Sequence, residues 1–198
     1  MGDQNKHIIA EVAINSLIAQ RKSPRAFSAE PVTQEELQTL FEAARWAASA
    51  MNEQPWRFIY ATKENEEAYN RLLSCLAEPN QVWAKDAPVL MLTVAKTNYS
   101  GNNAPNSHAW HDIGLATANL VLQATELGLH AHMMGGYSAT KAREVLGIPA
   151  GYEPVTMLAI GHIGDPEQLP EQLKARELAP RTRKPLEELV HEGVWQEK

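Results

Sequence analysis

The sequence has almost no cysteine and no excess of positive charge, and each shortage excludes classes of protein. Cys75 is the single cysteine among 198 residues, so the chain cannot form an internal disulfide and suits a reducing compartment. Because 44% of the residues are hydrophobic and 21% are charged, disorder is excluded as the main state. A chain of this length buries enough surface to fold without a disulfide or a structural metal.

Positive charge and long apolar runs are also lacking. The chain has 18 lysines and arginines against 24 acids, a net charge of -6, which is the wrong sign for a nucleic-acid or anionic-membrane binder. The longest mostly apolar stretch, residues 113–129, contains Asn119, Gln123 and Glu126 and is too polar to span a membrane. The first residues lack the basic start and apolar run of a signal peptide. We therefore expect a cytoplasmic protein with no nucleic-acid or membrane partner.

Hydrophobic periodicity predicts one domain of mixed α and β structure over residues 1–198. Thr33, with Glu36 three positions later, is typical of a capping box that opens a helix. Pro24 ends the first helix, and Gly128 ends a helix that is apolar on nearly every side and should form the centre of the core. Besides the helix that opens at Thr33, the predicted helices cover residues 8–19, 64–76, 109–127 and 139–146, and the predicted strands cover residues 56–61, 88–95, 130–134 and 154–162.

Two regions have the composition of irregular structure. Residues 97–107 contain four asparagines, two serines, one glycine and one proline, a turn-forming composition that predicts a mobile loop or lid that influences substrate choice. Beyond Gly164 the sequence is rich in proline and charge, with weak helical pieces at 167–177 and 185–191. We expect residues from about 165 to 198 to form an extended C-terminal arm that wraps a partner subunit.

Basic residues are concentrated at two places although the chain is acidic overall. Arg21, Lys22 and Arg25 surround Ser23, and a second group lies at Arg181, Arg183 and Lys184. Guanidinium groups and a serine hydroxyl in a turn are groups that hold a phosphate. Two solvated basic turns would give the same pattern, and charge alone leaves both interpretations open.

A run of small residues followed by two amides occupies positions 47–58. Small side chains let the backbone approach a planar ligand, while the amides of Asn52 and Gln54 supply the donors and acceptors that a heteroaromatic ring with carbonyls requires. The same residues would also serve as turn formers between a helix and a strand.

Four motifs in register resemble the nitroreductase family of FMN-dependent oxidoreductases over roughly residues 12–191. They are Arg21-Lys22-Ser23-x-Arg25, Ser49-x-x-Asn52-x-Gln54-Pro55-Trp56-x-Phe58, Met134-Gly135-Gly136-Tyr137 and Arg183-Lys184-Pro185-Leu186. Each motif is weak alone, but the four in this order and spacing are specific.

The resemblance implies an α+β nitroreductase-type fold, with a central mostly antiparallel β-sheet surrounded by helices. It also implies a homodimer with FMN at the subunit interface and ping-pong reduction of nitroaromatics, quinones or other small electrophiles. NAD(P)H would deliver a hydride to flavin N5, so no side-chain acid or base is required.

The resemblance also assigns roles to individual residues. The first motif would bind the FMN phosphate and ribityl chain and reach the pyrimidine edge, while the C-terminal pair would complete the phosphate site, with Lys184 as a possible substitute. Ser49 and Asn52 would reach the flavin from the other subunit, with Gln54 and Pro55 close by. The backbone at Gly135 and Gly136 would face the isoalloxazine, and Asn80 would lie near the pyrimidine ring. The residues expected to bind the cofactor are Arg21, Lys22, Ser23, Arg25, Ser49, Asn52, Gln54, Asn80, Gly135, Gly136, Arg181 and Arg183.

The sequence departs from the family pattern at four positions. Ala48 and Ala50 stand where the family often has a proline and a second serine, and Gly135 stands where it has an acidic residue. Trp83 stands where many members have a lysine that would stabilise negative charge on the reduced flavin. Either Arg25 supplies that charge or the reduction potential differs.

Other residues and functions remain as alternatives. His130 and His132 with His111 could hold a metal, although structural packing is the stronger interpretation. Cys75 fits packing better than nucleophilic catalysis, and Tyr99 and Trp110 fit substrate contact and packing equally. Relatives of this fold also dehalogenate or consume their flavin, and a non-catalytic flavin-binding module would need the same binding residues.

Overall fold

The computed structural model describes residues 12–196 and contains a four-stranded antiparallel sheet with helices on both faces. The strands are β1 (Trp56–Thr62), β2 (Val89–Lys96), β3 (His130–Met134) and β4 (Tyr152–Gly161), in the spatial order β1-β2-β4-β3. The helices are α1 (Ser16–Gln20), α2 (Gln34–Arg45), α3 (Glu66–Cys75), α4 (Glu78–Ala84), α5 (Ala109–Glu126), α6 (Ala139–Leu146) and α7 (Glu171–Leu178). The α+β fold class is confirmed, as are the four predicted strands apart from shifts of one or two residues at their ends.

The two central strands separate two hydrophobic cores. In β2 every residue from Val89 to Ala95 is buried, as its continuous apolar run predicts. The core on one face is formed with α3, α4 and α6, and the core on the other face is formed with α2 and α5. The predicted central helix is confirmed in α5, which ends just before Gly128 at a positive φ of 75°.

Side-chain caps open two of the predicted helices. The Thr33 hydroxyl accepts a hydrogen bond from the Glu36 backbone amide at 3.2 Å, and the Glu36 carboxylate accepts one from the Thr33 amide at 2.8 Å. This capping box opens α2 where the sequence predicts it. At α6 the Ser138 hydroxyl accepts from the Lys141 amide at 3.2 Å, and the helix has the predicted bounds.

The structure corrects the prediction at two helices. The helix predicted over residues 8–19 begins only at Ser16, because the Asn15 side chain caps it by accepting from the Leu17 amide at 2.9 Å. Residues 12–15 are not helical, and residues 8–11 lie outside the described part. Helix α4 was not predicted, although Pro79 in its first turn is a recognised start signal.

The arm beyond Gly164 contains α7 and short 3-10 turns around 166–168 and 186–188. Several of its apolar side chains are exposed in the single chain, namely Leu178, Leu186, Leu189, Val190, Val194 and Trp195. No helix in the stretch from residue 12 to residue 196 is long and apolar enough to cross a membrane.

Candidate functional site

The two basic sequence motifs meet in space, although about 160 residues separate them. The segment 21–25 follows α1, and the C-terminal arm returns across it. The Arg181 guanidinium donates to the carbonyl of Arg21 and, at 2.5 Å, to the carbonyl of Ala19. Arg21 in turn donates to the Ser23 hydroxyl at 3.1 Å. The fold therefore assembles one basic cluster, consisting of Arg21, Lys22, Ser23, Arg181 and Arg183.

The electrostatics of this basic cluster favour an anion. Burial lowers the pKa of Arg21, and the positive charges of Arg181 and Arg183 lower it further. Burial and Arg183 likewise lower the pKa of Arg181. Among the ion pairs found within residues 12–196, none includes Arg21 or Arg181. Like charges held together without a paired carboxylate would gain stability from a bound phosphate.

His130 adjoins the basic cluster as a neutral group. Burial lowers the pKa of its imidazole to about 4, and the charges of Lys22, His162 and Arg21 act in the same direction. Its Nδ1 is buried and has no hydrogen-bond partner among the described residues. A ring that is neutral at physiological pH adds no charge to the cluster but keeps one donor and one acceptor nitrogen.

A second group of predicted residues meets at the turn after β3. Asn80 on α4 donates from its side-chain amide to the Gly136 carbonyl at 3.0 Å, and the Ala77 amide donates to the same carbonyl at 2.9 Å. A Cβ atom added to Gly136 would lie 2.7 Å from Asn80 Nδ2, whereas one added to Gly135 would meet nothing within 4 Å. A side chain at position 136 would therefore displace the Asn80 amide, whereas the position of a Cβ atom at 135 is open space.

His132 and Trp83 connect this turn to the first motif. Trp83 lies one helical turn after Asn80, and its ring centroid is 4.5 Å from that of His132. His132 Nδ1 lies 2.8 Å from the Pro24 carbonyl, which only accepts, so Nδ1 carries the proton. Trp83 is only 2% exposed and is part of the core. At the position where the family often has a lysine, this chain therefore places a packed ring and no charge.

Arg25 is positioned by a residue that the sequence analysis did not identify. Its backbone amide donates to Glu177 Oε2 on α7 at 2.9 Å, and its guanidinium lies 3.9 Å from the same oxygen. Burial raises the pKa of Glu177, and the Arg25 amide and charge partly offset this shift. Glu177 is 152 residues away in sequence, and no local pattern indicated the pairing.

The third group, Ser49 to Gln54, forms a strained loop between α2 and β1. Met51, Asn52 and Gln54 have φ angles of 54°, 54° and 51°, a region that side-chain-bearing residues seldom adopt. The Gln54 amide donates to the Ser49 hydroxyl at 3.0 Å, and Gln54 Nε2 donates to the Asn52 carbonyl at 3.1 Å. We call residues 49–54 the amide loop.

The amide loop lies apart from the other two groups within one chain. It precedes β1 at one edge of the sheet, whereas Gly135 and Gly136 follow β3 at the other edge. Three strand spacings separate these edges, or about 14 Å. Within residues 12–196, no hydrogen bond or ion pair was found that joins the amide loop to the basic cluster or to the Gly136 turn.

The alternative sites gain no support from the geometry. No group of three potential metal ligands was found within the described residues, and His111 contacts Asp112 at 3.1 Å instead of His130 or His132. Cys75 is buried, and its thiol donates to the Arg71 carbonyl at 3.3 Å, consistent with packing.

Comparisons with known proteins agree with the fold and the family resemblance. The sequence profile of the nitroreductase family matches residues 18–162. A crystal structure of an oxidoreductase containing FMN is 38% identical, has a TM-score of 0.92 and covers 100% of both chains. A nitroreductase family protein from Clostridium difficile 630 is 26% identical with a TM-score of 0.72, covering 93% of this chain and 100% of its own.

A curated relative extends the comparison. A provisionally named NADH dehydrogenase/NAD(P)H nitroreductase of Stenotrophomonas maltophilia is 27% identical over 82% of this chain and 91% of its own length. With the family profile matched over most of its length, the chain belongs to the nitroreductase family, and the predicted resemblance is confirmed.

Proposed function

We propose that this protein transfers hydride equivalents from NAD(P)H to small electrophiles, such as nitroaromatics, quinones or enals, by a ping-pong sequence in a homodimer. As a member of the nitroreductase family, the chain is an oxidoreductase with FMN as its cofactor and NAD(P)H as its electron donor. The flavin, when bound, supplies the redox chemistry by accepting and passing on the hydride. The chain itself binds, orients and encloses the reacting groups.

The observation that carries the proposal is the basic cluster, in which no ion pair to Arg21 or Arg181 was found within residues 12–196. Burial and the charges of Arg181 and Arg183 lower the pKa of Arg21, burial and Arg183 lower the pKa of Arg181, and a phosphate dianion would offset these effects. Lys22, Ser23 and Arg183 supply further donors of the kind a phosphate monoester accepts. We assign these five residues to the FMN phosphate and ribityl chain.

The Gly136 turn has the features required to bind the ring system. A Cβ atom at position 136 would lie 2.7 Å from Asn80 Nδ2, so a side chain there displaces the Asn80 amide, and position 135 opens to free space. We assign the backbone N–H groups of Gly135 and Gly136 to the isoalloxazine and Asn80 to its pyrimidine edge. Arg25, held by Glu177, is the cation we assign to negative charge on the reduced ring, since Trp83 supplies none.

The homodimer accounts for the separated amide loop. Because Ser49, Asn52 and Gln54 lie at the opposite sheet edge from Gly136, we assign them to the flavin held mainly by the other subunit. The exposed apolar side chains of the arm, from about residue 165 onward, would be covered by the partner. We propose a single nitroreductase-like domain over 1–198, and a cytoplasmic location suits a chain whose lone cysteine forms no internal disulfide.

Changing Gly136 to alanine is expected to weaken FMN binding by about tenfold with little loss of thermal stability. The new Cβ would lie 2.7 Å from Asn80 Nδ2, so the Asn80 side chain must move and lose its bond to the Gly136 carbonyl. The measurement is a fluorescence titration of apoprotein with FMN. Gly114→Ala, at a glycine of α5 with nothing within 4 Å, is the control, and equal affinities of the two variants would remove the turn from the site.

Initial-rate kinetics test the proposed reaction. The rate of NAD(P)H oxidation is measured at several fixed concentrations of a quinone and of a nitroaromatic acceptor. Parallel double-reciprocal lines are expected, because donor and acceptor occupy the same site in turn. Intersecting lines would contradict the ping-pong sequence, and bound flavin that neither NADH nor NADPH reduces would favour a non-catalytic binding module instead.

A further inference from the structure

Two carboxylates help to fix the strained amide loop to the rest of its own chain. The Ala50 amide donates at 3.0 Å to Oδ2 of Asp112, a carboxylate that is 2% exposed in the first turn of α5. Three residues further on, the Glu53 side chain points away from the loop to the end of β2. Residues other than glycine keep a positive φ only where the surrounding structure enforces it. The carboxylates of Asp112 and Glu53 are therefore part of what holds the amide loop in this conformation.

Glu53 accepts hydrogen bonds from two residues outside the amide loop. Its Oε1 accepts from the Ser100 amide at 2.8 Å, from the Ser100 hydroxyl at 2.5 Å and from the Lys96 ammonium at 3.3 Å. Lys96 also donates to the Ser100 hydroxyl at 2.5 Å. The Ser100 hydroxyl bond is the main cause that lowers the pKa of Glu53, which keeps the carboxylate ionised. The Glu53 and Lys96 side chains are only 11% and 20% exposed.

The partner of Glu53 belongs to a segment with its own internal bonds. In residues 97–106 the Tyr99 amide donates to the Ala104 carbonyl at 2.9 Å, and the Asn103 amide donates to the Tyr99 carbonyl at 3.0 Å. The Asn98 side-chain amide donates to the Asn103 carbonyl at 2.8 Å. At the base of the loop, the Asn106 backbone amide donates to the Thr97 carbonyl at 2.7 Å. We call residues 97–106 the acceptor loop. These internal bonds hold the acceptor loop in a defined conformation.

We propose that Glu53 is a positioning residue that fastens the acceptor loop beside Asn52 and Gln54, so that this loop limits which electron acceptors reach the flavin there. The proposal rests on the proposed function, because it takes the amide loop as a flavin contact. Sequence places Glu53 directly between the two amides, and its carboxylate contacts Ser100 of the acceptor loop. A change at Glu53 therefore removes the attachment at Ser100 without touching the basic cluster, while Thr97 still donates to the Gly151 carbonyl at the base of the acceptor loop.

Two readouts on the full-length protein test this inference. In Glu53→Ala, hydrogen exchange of the acceptor-loop amides is expected to accelerate by about tenfold or more, because Ser100 loses its acceptor. The ratio of kcat/KM for a bicyclic quinone to that for a monocyclic quinone is expected to change by about fivefold or more. FMN is still expected to bind, because the basic cluster is unchanged, and any loss of FMN affinity measures how far Asn52 and Gln54 move when Glu53 no longer helps to hold the amide loop.

Conservative and remote variants separate positioning from general destabilisation. Glu53→Gln keeps an oxygen that accepts from the Ser100 amide and should restore most of the slow exchange, and Ser100→Ala should give an intermediate effect. Glu67→Gln, which removes an exposed carboxylate paired with Arg71 at 2.8 Å on α3, should change neither readout.

Three outcomes would overturn this inference or the proposal on which it rests. Unchanged exchange in Glu53→Ala would show that Glu53 does not fasten the acceptor loop. Faster exchange with an unchanged acceptor ratio would show that the loop does not limit acceptor access. Failure of the wild-type protein to take up and reduce FMN would overturn the proposed function instead, and the exchange measurement, which needs no flavin, would still decide whether Glu53 fastens the loop.

Discussion

Replacing Arg21 with alanine is expected to weaken FMN binding by about 10- to 100-fold without unfolding the protein. A charge-assisted hydrogen bond contributes roughly 1.5–3 kcal/mol, and each 1.4 kcal/mol corresponds to about tenfold in affinity. The apoprotein should not be destabilised, because the substitution removes the positive charge that lies beside Arg181 and Arg183. The measurements are FMN titration and thermal unfolding of the apoprotein.

The control for this prediction is Arg71→Ala. Arg71 is an exposed arginine on α3 that pairs with Glu67, and its loss should leave the FMN affinity unchanged. Arg183→Ala should resemble Arg21→Ala, whereas Arg181→Ala should also loosen the arm, because Arg181 bonds the carbonyls of segment 19–21. An Arg21→Ala protein that retains flavin as well as the wild type would remove Arg21 from the phosphate site.

Two variants with damaged sites are expected to regain function when they are combined in one dimer. One variant is Arg21→Ala with Arg183→Ala, and the other is Asn52→Gly with Gln54→Gly, which removes both amides but keeps the positive φ accessible. If each site takes residues from both chains, a mixed dimer has one site with every substitution and one with none. Random pairing then restores about a quarter of the wild-type sites.

The recovery is measured as bound FMN and as NAD(P)H oxidation after the two chains are co-expressed, compared with each variant alone. A mixture of two samples of the same variant is the control and should show no recovery. Activity no greater than the sum of the separate variants would contradict the shared site, as would isolation of a strict monomer with stoichiometric, tightly bound FMN.

The sequence is most informative where a local interaction determines the structure. The Thr33 cap, the buried run of β2 and the stop at Gly128 are each determined within a few residues, and each is found as predicted. The prediction of the first helix is wrong for a local reason as well. The Asn15 side chain caps the helix midway through the apolar pattern, so the helix begins at Ser16. The order of strands in the sheet is not a local property and could be anticipated only through the family resemblance.

The candidate site is predictable in its residue types but not in its connections. The two basic motifs could be recognised as phosphate-binding residues. They come together in space only because the C-terminal arm returns to the first motif after about 160 residues. The pairings of Arg25 with Glu177 and of Glu53 with Ser100 likewise join distant segments, and they leave no periodic trace in the sequence. The strain of the amide loop was also invisible, because Met51 and Gln54 are not residues that favour a positive φ.

The most direct test of the central claim is an absorbance spectrum of the purified protein, followed by anaerobic addition of NADPH and NADH in turn. We predict an oxidised-flavin spectrum, present as purified or after FMN is supplied, that bleaches with at least one of the two donors. A protein that takes up no FMN, or that holds FMN which neither donor reduces, would contradict the assignment as an FMN-dependent NAD(P)H oxidoreductase.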